Sequence, residues 1–246
     1  MNYLQIIVAL FKYDRSSQKI PREVLEMIHV KGLTKAYRQQ PIFEDLHIQM
    51  KHQKINFIMG KNGSGKTTFM KCLLQLEQYD GEILYNDQPI DQVRHEIQVM
   101  YDDTPLYMNL NGYQNIRLLL NAPIDQKKCE ALAREYLPHE ILKKKVKHYS
   151  YGQKKKLSFI FIALTKPTYL FLDEISNGLD YGTMMELKAM IKKWSEDMTI
   201  IATGHQFEFY SSIVDELFIL KDKSMIQIHD FQEKGEDLGD MYQAFL

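Results

Sequence analysis

The spacing of apolar and polar residues changes from segment to segment along this chain, and each change predicts an element. Met27–Lys31 and Ile42–Met50 alternate as strands do, with a turn around Tyr37–Pro41 between them. Lys54–Met59 is a short apolar run that ends directly in a glycine-rich stretch, and Lys66–Leu76 follows with helical spacing. Gly81–Tyr85 and Ile97–Tyr101 read as further strands. Tyr113–Asn121, Gln126–Tyr136 and Glu140–Lys147 read as helices parted by Pro123 and Pro138, and they predict a helical insert. Ser150–Leu164 is helical, with Leu157, Ile160, Phe161 and Leu164 as its apolar positions. Thr168–Leu172 is apolar throughout, the pattern of a strand buried mid-sheet. A helix over Leu179–Trp194, a strand over Met198–Thr203, and strands over Val214–Leu220 and Met225–Ile228 complete the alternation of an α/β domain.

Composition narrows the class. Apolar residues are 45% of the 246, ample for a buried core. The net charge of -1 supplies no global basic field, so no nucleic-acid partner is expected. Cys72 and Cys129 have no Cys or His partners at metal spacing, which fits a reducing cytoplasm and argues against a disulfide framework or zinc site. No run approaches the roughly 20 apolar residues of a spanning helix, and Leu4–Phe11 is far too short. That segment also lacks a signal peptide's basic start and cleavage site. Two readings of residues 1–26 stay open. Pro21-Arg22-Glu23-Val24 can be encoded by a purine-rich run resembling a ribosome-binding site ahead of Met27, or the segment is a genuine extension.

Gly60-Lys61-Asn62-Gly63-Ser64-Gly65-Lys66-Thr67 matches the phosphate-binding loop pattern in full, after a buried strand and at the start of a helix. Glycines let successive N–H groups point inward at phosphate oxygens, and the helix N-terminus adds partial positive charge. Lys66 is placed to reach the β- and γ-phosphates, and the Thr67 hydroxyl to ligate Mg²⁺. Downstream, the apolar strand ends in Asp173-Glu174. A carboxylate at such a tip faces the ligand crevice of an open α/β sheet. Asp173 then holds Mg²⁺, directly or through water, and Glu174 polarises the attacking water. Two acids after a strand are otherwise an ordinary turn; the phosphate loop upstream tips the reading.

Further residues carry a family resemblance. Tyr149-Ser150-Tyr151-Gly152-Gln153 resembles the signature motif of ATP-binding-cassette (ABC) proteins. Ser176-Asn177-Gly178-Leu179-Asp180 is similar to the family's D-loop, His205 falls at its switch histidine, and Tyr37 at its adenine-stacking aromatic. Order and spacing agree from about Met27 to Ile228. The resemblance implies a P-loop NTPase fold: an ABC ATPase domain over residues 27–246, with an antiparallel β-subdomain, a mostly parallel core sheet and a helical subdomain over about 103–165. It implies ATP and Mg²⁺ as cofactors, with Tyr37, the loop Gly60–Thr67 and Thr68 on the nucleotide. Ser150, Gly152 and Gln153 would contact the ATP of a facing domain, and Glu174, His205 and Lys66 would be catalytic. Asp180 would link the two sites. It further implies a homodimer or a heterodimer with a second ABC ATPase subunit, at the inner face of the cell membrane beside a separate transmembrane permease. Export is expected rather than import.

Several positions depart from the family pattern. Tyr151 replaces the first signature glycine, where any positive φ would strain it. The glutamine expected after Ile97–Tyr101 is Asp102, which either approaches Mg²⁺ through water or is a solvated turn acid. Lys61 stands where proline is common, and is expected to point outward. The basic runs Lys143–Lys145 and Lys154–Lys156 read as solvated helix faces, with phospholipid or partner contact as the alternative. A soluble ABC ATPase acting on nucleic acid or ribosomes is the rival function, but long coiled-coil inserts, tandem cassettes and iron–sulfur cysteines are missing from the sequence. A stand-alone small-molecule kinase would leave Ser150–Gln153 and His205 without a role.

Overall fold

The computed structural model describes residues 27–103, 105–120 and 125–246. Residues 1–26, the end of the expected helix at Asn121 and the break at Pro123 lie outside them.

The chain opens with a long antiparallel hairpin, β1 (Met27–Tyr37) and β2 (Gln40–Lys51). The pair is longer than the alternation suggests because register shifts between Val30 and Leu33 and between Leu33 and Lys35 interrupt it. The shift between Val30 and Leu33 breaks the period of two and returns Leu33 and Lys35 to the buried face, so the alternation stops at Lys31 while the strand continues. β4 (Asp80–Tyr85) and β5 (Gln88–Pro89) complete a four-stranded sheet in the order β2-β1-β4-β5.

The second sheet has six strands in the order β10-β9-β3-β8-β7-β6. They are β3 (Ile55–Met59), β6 (Ile97–Tyr101), β7 (Tyr169–Asp173), β8 (Thr199–Thr203), β9 (Glu216–Lys221) and β10 (Ser224–Ile228). All neighbours are parallel except β9 and β10. β3 and β8 are buried at every residue, as strands covered on both faces must be. One face, with Ile58, Phe171 and Ile201, packs under the antiparallel sheet and α1 (Lys66–Leu73) through Phe43 and Phe69. The other, with Phe57, Leu170 and Leu172, packs on helices. Each fully buried side chain of this size contributes about 1.5–3 kcal/mol.

α2 (Ile90–Val93) leads into β6, and α3 (Gly112–Leu120), α4 (Gln126–Tyr136) and α5 (His139–Lys143) follow it. Together with α6 (Tyr151–Thr165) these last three enclose a separate apolar cluster of Ile116, Leu119, Leu142, Leu157, Ile160 and Phe161. α6 also turns Phe159 and Ile162 into the core beneath the sheet, so it is buried on two sides and joins the helical cluster to the core. α7 (Tyr181–Trp194), α8 (Phe207–Ser211) and α9 (Leu238–Phe245) complete the chain, the last two unforeseen in the sequence.

Two helix ends differ from expectation. α1 stops at Leu73 because Gln75 takes a left-handed φ of 55°. The expected helix Glu140–Lys147 ends at Lys143, since Lys145 bridges to Asn111 and the Val146 N–H donates to Leu110 O at 2.9 Å. Tertiary hydrogen bonds outcompete the helical ones there. Among the described residues no helix is long and apolar enough to cross a membrane.

Candidate functional site

Strand register builds the site. Tyr101 pairs with Asp173, Asp173 with Thr203, and Thr203 with Ile58, so the C-terminal tips of β6, β7, β8 and β3 lie side by side. The segments leaving those tips carry Asp102, Glu174, His205 and the phosphate loop. This is the crevice where parallel sheets bind ligands.

The loop leaving β3 is shaped by its glycines. A Cβ on Gly60 would stand 2.5 Å from Ser64 Oγ and 2.8 Å from Leu220 O, and Gly65 caps α1 with a φ of 106° that L side chains avoid. The first N–H groups of α1 have no intrahelical acceptors and face an anion site. Lys66 is buried at 7% exposure, and its ammonium donates to Gly60 O at 2.8 Å and Lys61 O at 3.2 Å. Burial lowers its pKa, opposed by the charges of Glu174 and Asp173. A cation folded over a glycine-walled turn, with a buried, unpartnered Ser64 hydroxyl beside it, fits a polyphosphate. Thr67 is exposed, Thr68 half-buried, and Lys61, Asn62 and Gly63 are exposed.

Asp173 accepts a hydrogen bond from the Thr203 hydroxyl at 2.7 Å. Burial pushes its carboxyl upward, Thr203 pulls it back down, and the neighbouring charge of Glu174 adds to the rise. Glu174 adopts a positive φ of 53°, a strained conformation for a non-glycine residue. Its carboxylate is held from both sides, by Asn177 Nδ2 at 3.3 Å on Oε2 and by His205 Nε2 at 3.2 Å on Oε1. A cavity of about 660 Å³ is lined by Thr67, Lys71, Asp102, Asp103, Asp173 and Glu174 among others. One chain therefore brings together Lys66, Thr67, Asp173, Glu174 and His205, with oxygen donors suited to a hard cation such as Mg²⁺.

Tyr37, 41% exposed at the end of β1, has the Lys35 ammonium 4.5 Å from its ring centroid. Ser150 is the N-cap of α6: it accepts from Gln153 N at 3.2 Å, and Gln153 Oε1 accepts from Ser150 N at 3.0 Å. Gly152 packs against the first turn of α7, since a Cβ there would come 3.2 Å from Thr183 Oγ1. Among the described residues no hydrogen bond joins Ser150, Gly152 or Gln153 to the phosphate loop or Glu174. Asp180 caps α7 through Thr183 N at 2.9 Å and Thr183 Oγ1 at 2.8 Å.

Three expectations change. Tyr151 opens α6 with helical backbone and is not strained, because the signature turn has already ended at Ser150. Asp102 is more than a solvated turn acid: Oδ1 accepts from the Tyr151 phenol and from Lys155 Nζ, the latter at 3.2 Å. Lys154–Lys156 is not a solvated face, for Lys155 is 2% exposed and Lys156 pairs with Glu186. By contrast, Lys143, Lys144 and Lys145 are exposed. Thr203 and Asn177 were missed as partners of the two acids. Register across the sheet places Thr203, and no local pattern announces it.

The ABC transporter family description matches residues 43–177, more than half of the chain. The lantibiotic transport ATP-binding protein SrtF of Streptococcus pyogenes is 28% identical over 218 residues, covering 86% of this chain and 95% of that protein. An uncharacterized ABC transporter ATP-binding protein, YhcH of Bacillus subtilis, is 26% identical over 226 residues, covering 88% and 74%. Among solved structures, an ATP-binding subunit of an ABC transporter superposes with a TM-score of 0.74 at 22% identity, covering 89% of this chain and 98% of that one. The subunit cbiO1 from Clostridium perfringens, part of the cbiONQ transporter complex, also gives 0.74 at 21% identity, covering 86% and 91%. The matched span holds the phosphate loop, the capped signature helix and the two acids, and the chain belongs to the ABC transporter family as one of its ATP-binding, ATP-hydrolysing subunits.

Proposed function

We propose that two copies of this chain face each other head to tail, hydrolyse ATP in their interface, and drive a separate membrane permease that exports its cargo. The observation that carries the reading is a separation within one chain. Lys66, Asp173, Glu174 and His205 converge at the strand tips, whereas Ser150 and Gly152 head a helix without a hydrogen bond to them. A second copy would offer its Ser150 and α6 N-terminus to the γ-phosphate. Each chain carries both halves, so two like chains suffice for two complete sites.

In that assembly Lys66 would leave its loop carbonyls for the β- and γ-phosphates, while the α1 N-terminus holds the phosphate oxygens. Thr67 and Asp173 would hold Mg²⁺, which when bound supplies charge neutralisation at the phosphate oxygens. Glu174 would take a proton from the attacking water as the water oxygen bonds to the γ-phosphorus and the bond from that phosphorus to the β–γ bridging oxygen breaks, releasing ADP and phosphate. Asn177 and His205 orient that carboxylate. Loss of the γ-phosphate contacts would let the halves part, and the permease would use this motion. Similarity to a lantibiotic transport protein supports export of a peptide-like cargo. In this reading the chain sits peripherally on the inner membrane face beside the permease.

ATP hydrolysis measured against protein concentration tests this. Turnover per molecule should rise with concentration, fall steeply in Ser150→Ala, and collapse in Glu174→Gln while ATP-dependent dimers accumulate. Turnover independent of concentration and indifferent to Ser150→Ala would refute the shared site.

A further inference from the structure

Three segments meet at Tyr151. Its phenol donates to Asp102 Oδ1, just beyond β6, and also lies 3.4 Å from Asp102 O. Its ring lies against Gly178, where an added Cβ would stand 3.5 Å from Tyr151 Cε1, in the loop between Glu174 and Asp180. Lys155, one turn along the same face of α6, places its ammonium 5.4 Å from that ring. This ammonium is almost fully buried and donates to Tyr101 O at 3.2 Å, to Asp102 O, and to Asp102 Oδ1 at 3.2 Å. A buried cation needs such a set of acceptors, and the strand end supplies it.

The contact links two places of different duty. Asp102 lines the cavity that also holds Thr67, Asp173 and Glu174, whereas Tyr151 directly follows Ser150, the cap of α6. One oxygen of Asp102 already has two donors from α6, so this acid is committed to the helix.

We propose that Tyr151 and Lys155 are positioning residues: by gripping Asp102 they fix the N-terminus of α6 against the tips of β6 and β7, and so aim Ser150 at the ATP held by the opposing copy. The inference rests on the shared-site reading and adds a route by which each chain's own ATP cavity is tied to the site it completes across the interface. Tyr151 thus takes up the role that its departure from the family pattern leaves open, with Asp102 as its mate.

The test uses the full chain with Glu174→Gln as parent, and compares Tyr151→Phe, Lys155→Met, Asp102→Asn and the Tyr151→Phe/Asp102→Asn double variant. Two quantities are read. One is MgATP affinity at protein concentrations too low for association; the other is ATP-driven association by sedimentation. Tyr151→Phe keeps the ring against Gly178 and removes only the hydroxyl, so it serves even if Lys155→Met does not fold. Single-subunit MgATP affinity of Tyr151→Phe and of Lys155→Met should stay within about twofold of the parent. Association should weaken about fivefold in Tyr151→Phe, the scale of a charge-assisted hydrogen bond at a half-exposed site. The double variant should be no weaker than the weaker single one, because both remove the same contact. Association of Tyr151→Phe equal to the parent overturns the inference alone. So does an equal loss in both quantities, the mark of local destabilisation, or a double variant whose losses multiply. A parent that binds MgATP but never associates overturns the shared-site reading and this inference with it.

Discussion

Replacing Asp173 with asparagine should make the nucleotide-free subunit more heat-stable at neutral pH while abolishing ATP hydrolysis. Burial raises the carboxyl of Asp173 above its ordinary value of 3.8, with the Thr203 hydroxyl opposing and the Glu174 charge reinforcing the rise. The folded chain therefore binds this proton more tightly than the unfolded chain does. Its contribution to stability is fully present below the ordinary value and is lost as pH rises through the raised one. At neutral pH the carboxylate is thus a liability that the fold carries for its chemistry. Asparagine removes the charge and keeps an Oδ1 that can accept from Thr203, where the present bond is 2.7 Å. Lys66 loses one favourable charge, a smaller effect than the burial that dominates its own shift. The net gain should be about 1 kcal/mol, or about 2–4 °C in melting midpoint for a chain of this size. Differential scanning calorimetry without nucleotide or divalent ions, at about pH 7.5 and again near pH 4, measures it. The gain should shrink at the lower pH, because the raised carboxyl takes up its proton sooner than an ordinary aspartate as pH falls. A midpoint that is unchanged or lower at about pH 7.5, or a gain that persists undiminished at acid pH, would refute the reasoning.

Other substitutions probe the surroundings. Tyr37→Ala should weaken ATP binding about 3- to 10-fold and leave inorganic triphosphate binding unchanged, the value of an aromatic stack; equal losses in calorimetric titrations of both would make Tyr37 a packing residue. Gly65→Ala forces a Cβ to 2.7 Å from Ile42 Cγ2 and 2.9 Å from Phe43 Cε1 at a φ of 106°. It should cost about 2–4 kcal/mol in urea unfolding, and a cost below about 1 kcal/mol would mean that the loop relaxes easily. Tyr85→Phe removes a buried hydroxyl that donates to Leu73 O at 2.7 Å, at the end of α1. Urea unfolding should show a loss of about 1–2 kcal/mol at unchanged slope, and a neutral result would show that the carbonyl finds another donor.

Local chemistry was readable wherever it is carried by neighbours in sequence. The phosphate loop needs small residues at fixed offsets to admit phosphates, so Gly60–Thr67 was legible in full. Ser150 with Gln153 three residues on is a capping box, and the predicted start of that helix lies within a residue of the observed one. β7 was legible because a strand buried on both faces has no polar alternation to disguise it. β1 was read short because its bulges break the period that the eye follows. Lys155 was misread because a lysine within a basic run looks solvated, and only the carbonyls at the end of a distant strand make its burial tolerable.

Sequence alone determined most of the longer strands and helices in their order, the loop that suits a polyphosphate, and the pair of acids at a strand tip, since each depends on residues a few positions apart. Tertiary structure alone decided that Thr203 supports Asp173, that His205 and Asn177 hold Glu174, and that Asp102 belongs to Tyr151 and Lys155. These contacts join residues as many as 53 positions apart. They exist because parallel register aligns the tips of β6, β7 and β8, and because α6 sets its first turns against the residues that end β6. A one-dimensional pattern holds no record of which strands become neighbours, or of which buried charge will find its acceptors there.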